Sequence, residues 1–191
     1  PLQSRLPSGK TEAALIPVVT SLFDDPTPGI GALYVGPTKA LIDDQFSRLE
    51  RMLRDSRIPV NGWHGDVDDA MKKRLMAHPE GILQITPESL EGILDNHPES
   101  VGAMFSGLRF VVVDEVHSFM SSDRGLQLLC LLERMSRMCG CSPRRIGLSA
   151  TLSDPDAAAE WLSSGTDREM DVVESDDRRS CRIGIKHFEF P

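Results

Sequence analysis

Gly9-Lys10-Thr11, inside the stretch "SRLPSGKTEAALIP" (4–17), is the first place in this chain where residue types and spacing could do chemistry. A glycine turn that opens a helix points backbone amides, here those of Ser8, Gly9 and Lys10, at an anion, and the helix dipole favours negative charge there. Lys10 adds a point charge for the β and γ phosphates of a nucleoside triphosphate such as ATP, and the Thr11 hydroxyl is a ligand for Mg²⁺. Far downstream, "FVVVDEVH" ends an apolar run in two adjacent carboxylates. Asp114 is suited to hold Mg²⁺ through water, and Glu115 to orient and deprotonate an attacking water. The third element is "RIGLSAT", where Ser149 and Thr151 put two hydroxyls at one sheet edge, suited to passing the state of a phosphate elsewhere. Each has an ordinary explanation alone: a glycine turn accounts for Gly9, and an Asp-Glu pair after a strand is usually the start of a solvated loop. The Lys-Thr pair and the order of the three elements favour a single phosphate and Mg²⁺ site.

Such a site needs strands to carry it. Four apolar runs, "GALYVG" (31–36), "GILQIT" (81–86), "RFVVVDE" (109–115) and "RIGLSAT" (145–151), have the composition of parallel strands buried on both faces. Between them lie helical segments, among them "TKALIDDQFSRLERMLRD", with Leu41, Ile42, Phe46, Leu49 and Leu53 near one face. Alternation of this kind predicts an α/β fold, a mostly parallel central sheet with helices on both faces. Carboxylates at the end of a strand then lie at the carboxyl edge of the sheet, where open α/β sheets bind ligands. The first helix is expected from the Gly-Lys-Thr through "TEAALIPVVTSLF", with Pro17 removing one hydrogen bond and bending it. "DDPTPG" reads as a loop, and "GLQLLCLLERMSRM" (125–138) as a helix packed on the sheet.

A phosphate loop follows a strand, yet only Pro1, Leu2 and Gln3 precede Ser4, so the chain reads as one domain, 1–191, trimmed at its N-terminus. The charged stretch 166–191 reads as a surface excursion leading out of that domain. With 40% apolar and 26% charged residues among 191, and no apolar run long enough to span a bilayer, membrane insertion is set aside. A net charge of −8 argues against coating nucleic acid by bulk electrostatics, though not against a local cleft. Four cysteines in a chain of this size predict reduced thiols and a cytoplasmic, intracellular setting. Cys139 and Cys141 are spaced more tightly than usual zinc ligands, and no histidine pair completes a site. Arg48, Arg51, Arg54 and Arg57 spiral around a helix, so they read as a solvated face.

Taken together, "SGKTEAALIP", "LYVGPTKALIDDQFSRLE", "WHGDV", "ILQITPESLEGIL", "VVVDEVHSFM" and "IGLSATL" resemble, in order and spacing, the motifs of superfamily-two helicases of the DExH type, nearest the bacterial Lhr-like branch of the DEAD/DEAH box proteins. The resemblance runs from Gln3 to about Leu162. It implies a first RecA-like P-loop motor domain that works with a second RecA-like domain of the same polypeptide on a DNA or RNA strand. Thr38, Lys39, Gly65, Asp66, Thr86 and Glu88 match the family's backbone-contacting segments. Hydroxyls, amides and helix N-termini can grip phosphates without a basic surface. The resemblance also gives His117 the role of coupling hydrolysis to the nucleic-acid side, and Ser149 with Thr151 that of linking it to domain movement. The family's arginine finger lies on the second motor domain.

Ser4 agrees with the family, whereas Pro7 departs from its usual glycine or alanine and removes one amide donor. Trp63 and Phe119 read as core rather than as stacking platforms. His64, His78, His97 and His187 show no paired acid or serine in the sequence. Two other readings are a degenerate RecA-like scaffold or nucleic-acid-binding module, and a metabolic P-loop kinase. The presence of Lys10, Thr11, Asp114 and Glu115 argues against the scaffold, and the Ser-Ala-Thr strand against the kinase.

Overall fold

The computed structural model describes residues 9–56, 58–150 and 152–173. Five parallel strands, β1 (Gly29–Val35), β2 (Val60–Trp63), β3 (Glu80–Ile85), β4 (Phe110–Val113) and β5 (Arg144–Gly147), form one sheet in the order β2-β3-β1-β4-β5. The helices are α1 (Lys10–Asp24), α2 (Lys39–Leu53), α3 (Asp69–Ala77), α4 (Pro87–Asn96), α5 (Pro98–Met104), α6 (Asp123–Cys139) and α7 (Pro155–Ser163). The α/β architecture read from the four apolar runs is therefore present. The strand that run analysis does not find is β2, an edge strand in which Trp63 alone is buried.

Because side chains alternate across a strand, the buried residues divide between the two faces of the sheet. Ala32, Tyr34, Ile82 and Val112 form one apolar cluster with Leu15, Val18 and Leu22 of α1 and Leu49 and Leu53 of α2. Leu33, Val35, Leu83, Ile85, Val111 and Val113 belong to a larger cluster with residues of α4, α5, α6 and α7. Trp63 and Phe119 both lie in that second cluster, as their reading as core requires.

Local chemistry sets the helix ends. Thr38 caps α2 by accepting the Leu41 amide at 3.3 Å, Thr86 caps α4 through the Ser89 amide at 3.3 Å, and Ser122 caps α6 through the Gly125 amide at 3.1 Å. The first helix runs unbroken through Pro17, whose exposed ring sits on its solvent side. Its C-terminus is closed by a cation from the next layer: the Arg109 guanidinium donates to the Ser21 carbonyl at 2.7 Å and to the Asp25 carbonyl and carboxylate at 3.0 and 2.7 Å. Arg109 also donates its own amide to Gly31 of β1 at 2.9 Å. Along α4 and α6 a row of polar pairs aligns the two helices: Glu88 with Arg124, Glu91 with Gln127, and Asp95 with Arg134.

Candidate active site and nucleic-acid groove

The sheet reverses its order at β1, whose neighbours β3 and β4 lead away in opposite directions. Two constellations stand at the carboxyl edge, one on each side of that strand. On the β4 and β5 side are Lys10, Asp114, Glu115, His117 and Ser149. On the β3 and β2 side are Thr38, Lys39, Gly65, Asp66, Thr86 and Glu88.

The first constellation begins at Gly9, which occupies the left-handed region at φ 71° and is the N-cap of α1 with no side chain closing the first turn. The turn thus presents its amides in the manner of an anion cradle. Lys10 Nζ donates to the Ser149 carbonyl at 2.8 Å, which ties the head of α1 to the segment after β5. Glu12, in the same helical turn as Thr11, is ion-paired with Arg48 of α2. Arg48 is thus half-buried and committed to a partner, unlike the solvated arginine face expected of it.

Asp114 is buried and leaves the ladder after donating its amide to the Val35 carbonyl at 2.9 Å. Its Oδ1 accepts the Glu115 amide at 2.9 Å, and its Oδ2 accepts the hydroxyl of Tyr34 from β1. Burial, followed by the adjacent Asp114 carboxylate, pushes the Tyr34 phenol far above its ordinary value, so the hydroxyl stays protonated as a donor. Glu115 takes the left-handed conformation at φ 51°, unusual for a residue with a side chain. Val116 then donates to the Leu148 carbonyl at 2.9 Å, joining the turn after β4 to the segment after β5. His117 Nδ1 lies 2.8 Å from Ser149 Oγ and 3.3 Å from Glu115 Oε2, so one imidazole spans the carboxylate and the serine. The donor set fits Mg²⁺: a buried carboxylate and a threonine hydroxyl are hard oxygen ligands. Among the described residues no three acidic, histidine or cysteine side chains gather to cage a metal.

The second constellation is a groove lined by Pro37, Thr38, Lys39, Gly65, Thr86, Glu88, Ser89 and Arg124. The capped N-termini of α2 and α4 both open on it. Lys39 Nζ pairs with Asp66 at 3.0 Å. Glu88 accepts Arg124 through both carboxylate oxygens, and this pairing holds its carboxyl below the ordinary range. Its carboxylate is thereby screened, and Arg124 contributes a cation to the groove. Sequence reasoning missed Arg124; the one available sign was its place in the helical turn after "SFMSS".

Of the residues expected to do chemistry, Lys10, Asp114, Glu115, His117 and Ser149 are brought together. Ser8 and Thr151, with Ser4, Pro7, Arg57 and His187, fall outside the described residues. Two histidines read as having no acid partner prove to have a neighbouring one. His64 Nε2 lies 3.0 Å from Asp43 Oδ1 of α2, and His97 Nδ1 lies 4.0 Å from Glu99. Cys139 and Cys141 face each other across the C-cap of α6, Sγ to Sγ 2.8 Å.

A RecA-like sheet with a glycine-lysine-threonine helix start, an Asp-Glu strand end and a strand leading to Ser149 defines a motor-ATPase class of domain. Residues 2–159 match the DEAD/DEAH box helicase family, and the chain belongs to it. It is 32% identical over 187 residues to the ATP-dependent helicase YprA of Bacillus subtilis, covering 96% of this chain and 24% of that protein. Among solved structures it is similar to Mycobacterium smegmatis helicase Lhr bound to ssDNA and AMP-PNP, with TM-score 0.70 and 34% identity over 83% of this chain and 22% of that one. It is also similar to the DUF1998 helicase MrfA bound to DNA and AMPPNP, with TM-score 0.74 and 30% identity over 87% of this chain and 24% of that one. The chain thus spans about a quarter of the length of each of these three proteins.

Proposed function

We propose that this domain is the ATP-binding half of a nucleic-acid motor. It would bind ATP with Mg²⁺ at the α1 start, bind one strand in the groove beyond β1, and work with a second RecA-like domain of the same polypeptide. The observation that carries this reading is His117, whose Nδ1 lies within reach of both Glu115 and Ser149. A change at the Glu115 side is thereby felt at the segment to which Lys10 is also bonded.

Lys10 would meet the β and γ phosphates, and the amides at the head of α1 would donate hydrogen bonds to their oxygens. Thr11 and Asp114 would hold Mg²⁺, which when bound neutralises phosphate charge. Glu115 would orient a water and take its proton. Ser149, tied to both Lys10 and His117, would relay the change to movement between domains.

In the groove, Thr38, Lys39, Gly65, Asp66, Thr86 and Glu88 would follow the sugar-phosphate backbone of a strand. Lhr and MrfA, in their named structures, are bound to DNA, which favours a DNA strand here as well.

The test is ATP hydrolysis by the full-length protein with DNA and with RNA added separately, and Lys10→Ala as control. Stimulation by DNA that Lys10→Ala abolishes is expected; stimulation by neither polymer would sink the reading. In the same protein, Arg124→Ala should weaken strand binding at every sequence tried and lower the slope of log affinity against log salt by about one. Fluorescence anisotropy across a salt series measures both.

A further inference from the structure

Tyr34 is the single tyrosine of the 191 residues and interrupts the apolar run of β1 with a hydroxyl. It is fully buried, and its register partners are Gln84 on β3 and Val112 on β4. From there the hydroxyl reaches across one strand to Asp114 Oδ2. The other carboxylate oxygen accepts the Glu115 amide at 2.9 Å, so the two bonds together fix the plane and rotamer of the carboxylate. The ring of the same tyrosine shares an apolar cluster with Leu15 and Val18, in the helix that begins with Lys10 and Thr11.

We propose that Tyr34 is a positioning residue for Asp114: its hydroxyl sets the carboxylate, and its ring keeps that carboxylate in register with the head of α1. The inference rests on the assignment of Asp114 to Mg²⁺ in the proposed function. A phenol hydrogen bond of this kind has the role that outer-shell partners have at metal sites, where they orient the ligand and raise metal affinity. The bond also joins β1 to the end of β4, so the strand that leads into Thr38 and the groove is the strand that steadies the ATP side.

The experiment uses the full-length protein with Tyr34→Phe, which removes the hydroxyl and keeps the ring, and Tyr34→Leu, which removes both. Binding of a fluorescent ADP analogue is titrated with Mg²⁺ and repeated in excess EDTA, with thermal unfolding followed alongside. For Tyr34→Phe the Mg²⁺ concentration giving half of the metal-dependent gain in affinity should rise about tenfold. Affinity in EDTA should stay at the parent value, because the phosphate cradle is untouched. Tyr34→Leu should show the same Mg²⁺ shift and, in addition, a lower unfolding temperature from lost packing.

An unchanged Mg²⁺ midpoint in Tyr34→Phe overturns the assignment, as does a shift that appears in Tyr34→Leu alone. Loss of the fold in Tyr34→Phe would assign the hydroxyl to stability and overturn it equally. Failure of the parent protein to bind the nucleotide at all would instead overturn the proposed function.

Discussion

Replacing Glu115 by Gln in the full-length protein should lower the rate of ATP hydrolysis by about a thousandfold while leaving ATP binding in place, because general-base contributions of that order disappear with the proton acceptor. The substitution keeps the shape of the side chain and its backbone. That backbone matters, because Glu115 sits at φ 51° and donates its amide to Asp114, and neither feature depends on the carboxylate. Its Oε2 is buried and lies 3.3 Å from His117 Nδ1, so Gln can still meet the imidazole. Single-turnover hydrolysis together with equilibrium nucleotide binding separates the two effects. A variant that hydrolyses ATP at the parent rate would remove Glu115 from the chemistry.

Gly125→Ala is expected to destabilise the domain by about 3 kcal/mol, at the upper end of what overpacking costs. A Cβ on Gly125 would stand 2.0 Å from the Phe119 carbonyl oxygen and 2.7 Å from its carbon, both backbone atoms. Neither can swing aside as a side-chain tip can. Phe119 is fully buried, and its carbonyl also accepts the Ser122 hydroxyl at 2.7 Å, so the turn between His117 and α6 has no slack. Chemical denaturation should report the loss. Because the displaced turn carries His117, residual activity at low temperature should fall as well. Unchanged stability would mean that α6 slides away from the turn at little cost.

Continuous apolar runs revealed β1, β3 and β4 because strands buried on both faces are largely apolar, whereas β5, read from "RIGLSAT", is Arg144–Gly147 with Arg145 its one buried residue and stops before Ser149. The ends were less legible. β4 stops at Val113, two residues short of "RFVVVDE", since Asp114 turns its side chain to Tyr34 and Glu115 turns left-handed. β2 escaped because "VNGW" contains an Asn-Gly pair that ordinarily marks a turn, and because an edge strand buries little. At the candidate site, local motifs point to Lys10 and the two carboxylates. Tyr34 with Asp114, Arg109 with Asp25, and Arg124 with Glu88 are separated by 80, 84 and 36 residues, and no periodicity records such pairs. The polar residue inside an apolar strand, Tyr34, was the one visible clue, since a buried hydroxyl needs a partner.

Arg109 gives the domain a mechanical character. It clamps the far end of α1 through Ser21 and Asp25, holds Gly31 through its own amide, and immediately precedes the strand that ends next to Asp114. The helix and the strand therefore share a root, like the tines of a fork, while Lys10 and Asp114 stand at the opposite tips, Lys10 tied to Ser149 and Asp114 to Tyr34. With 15 residues α1 is about 22 Å long, so a rotation of about 5° at the root carries its tip about 2 Å. A shift of that size is enough to make or break a phosphate contact. Leverage of this kind would let a sheet that barely deforms change the spacing between the head of α1 and the end of β4.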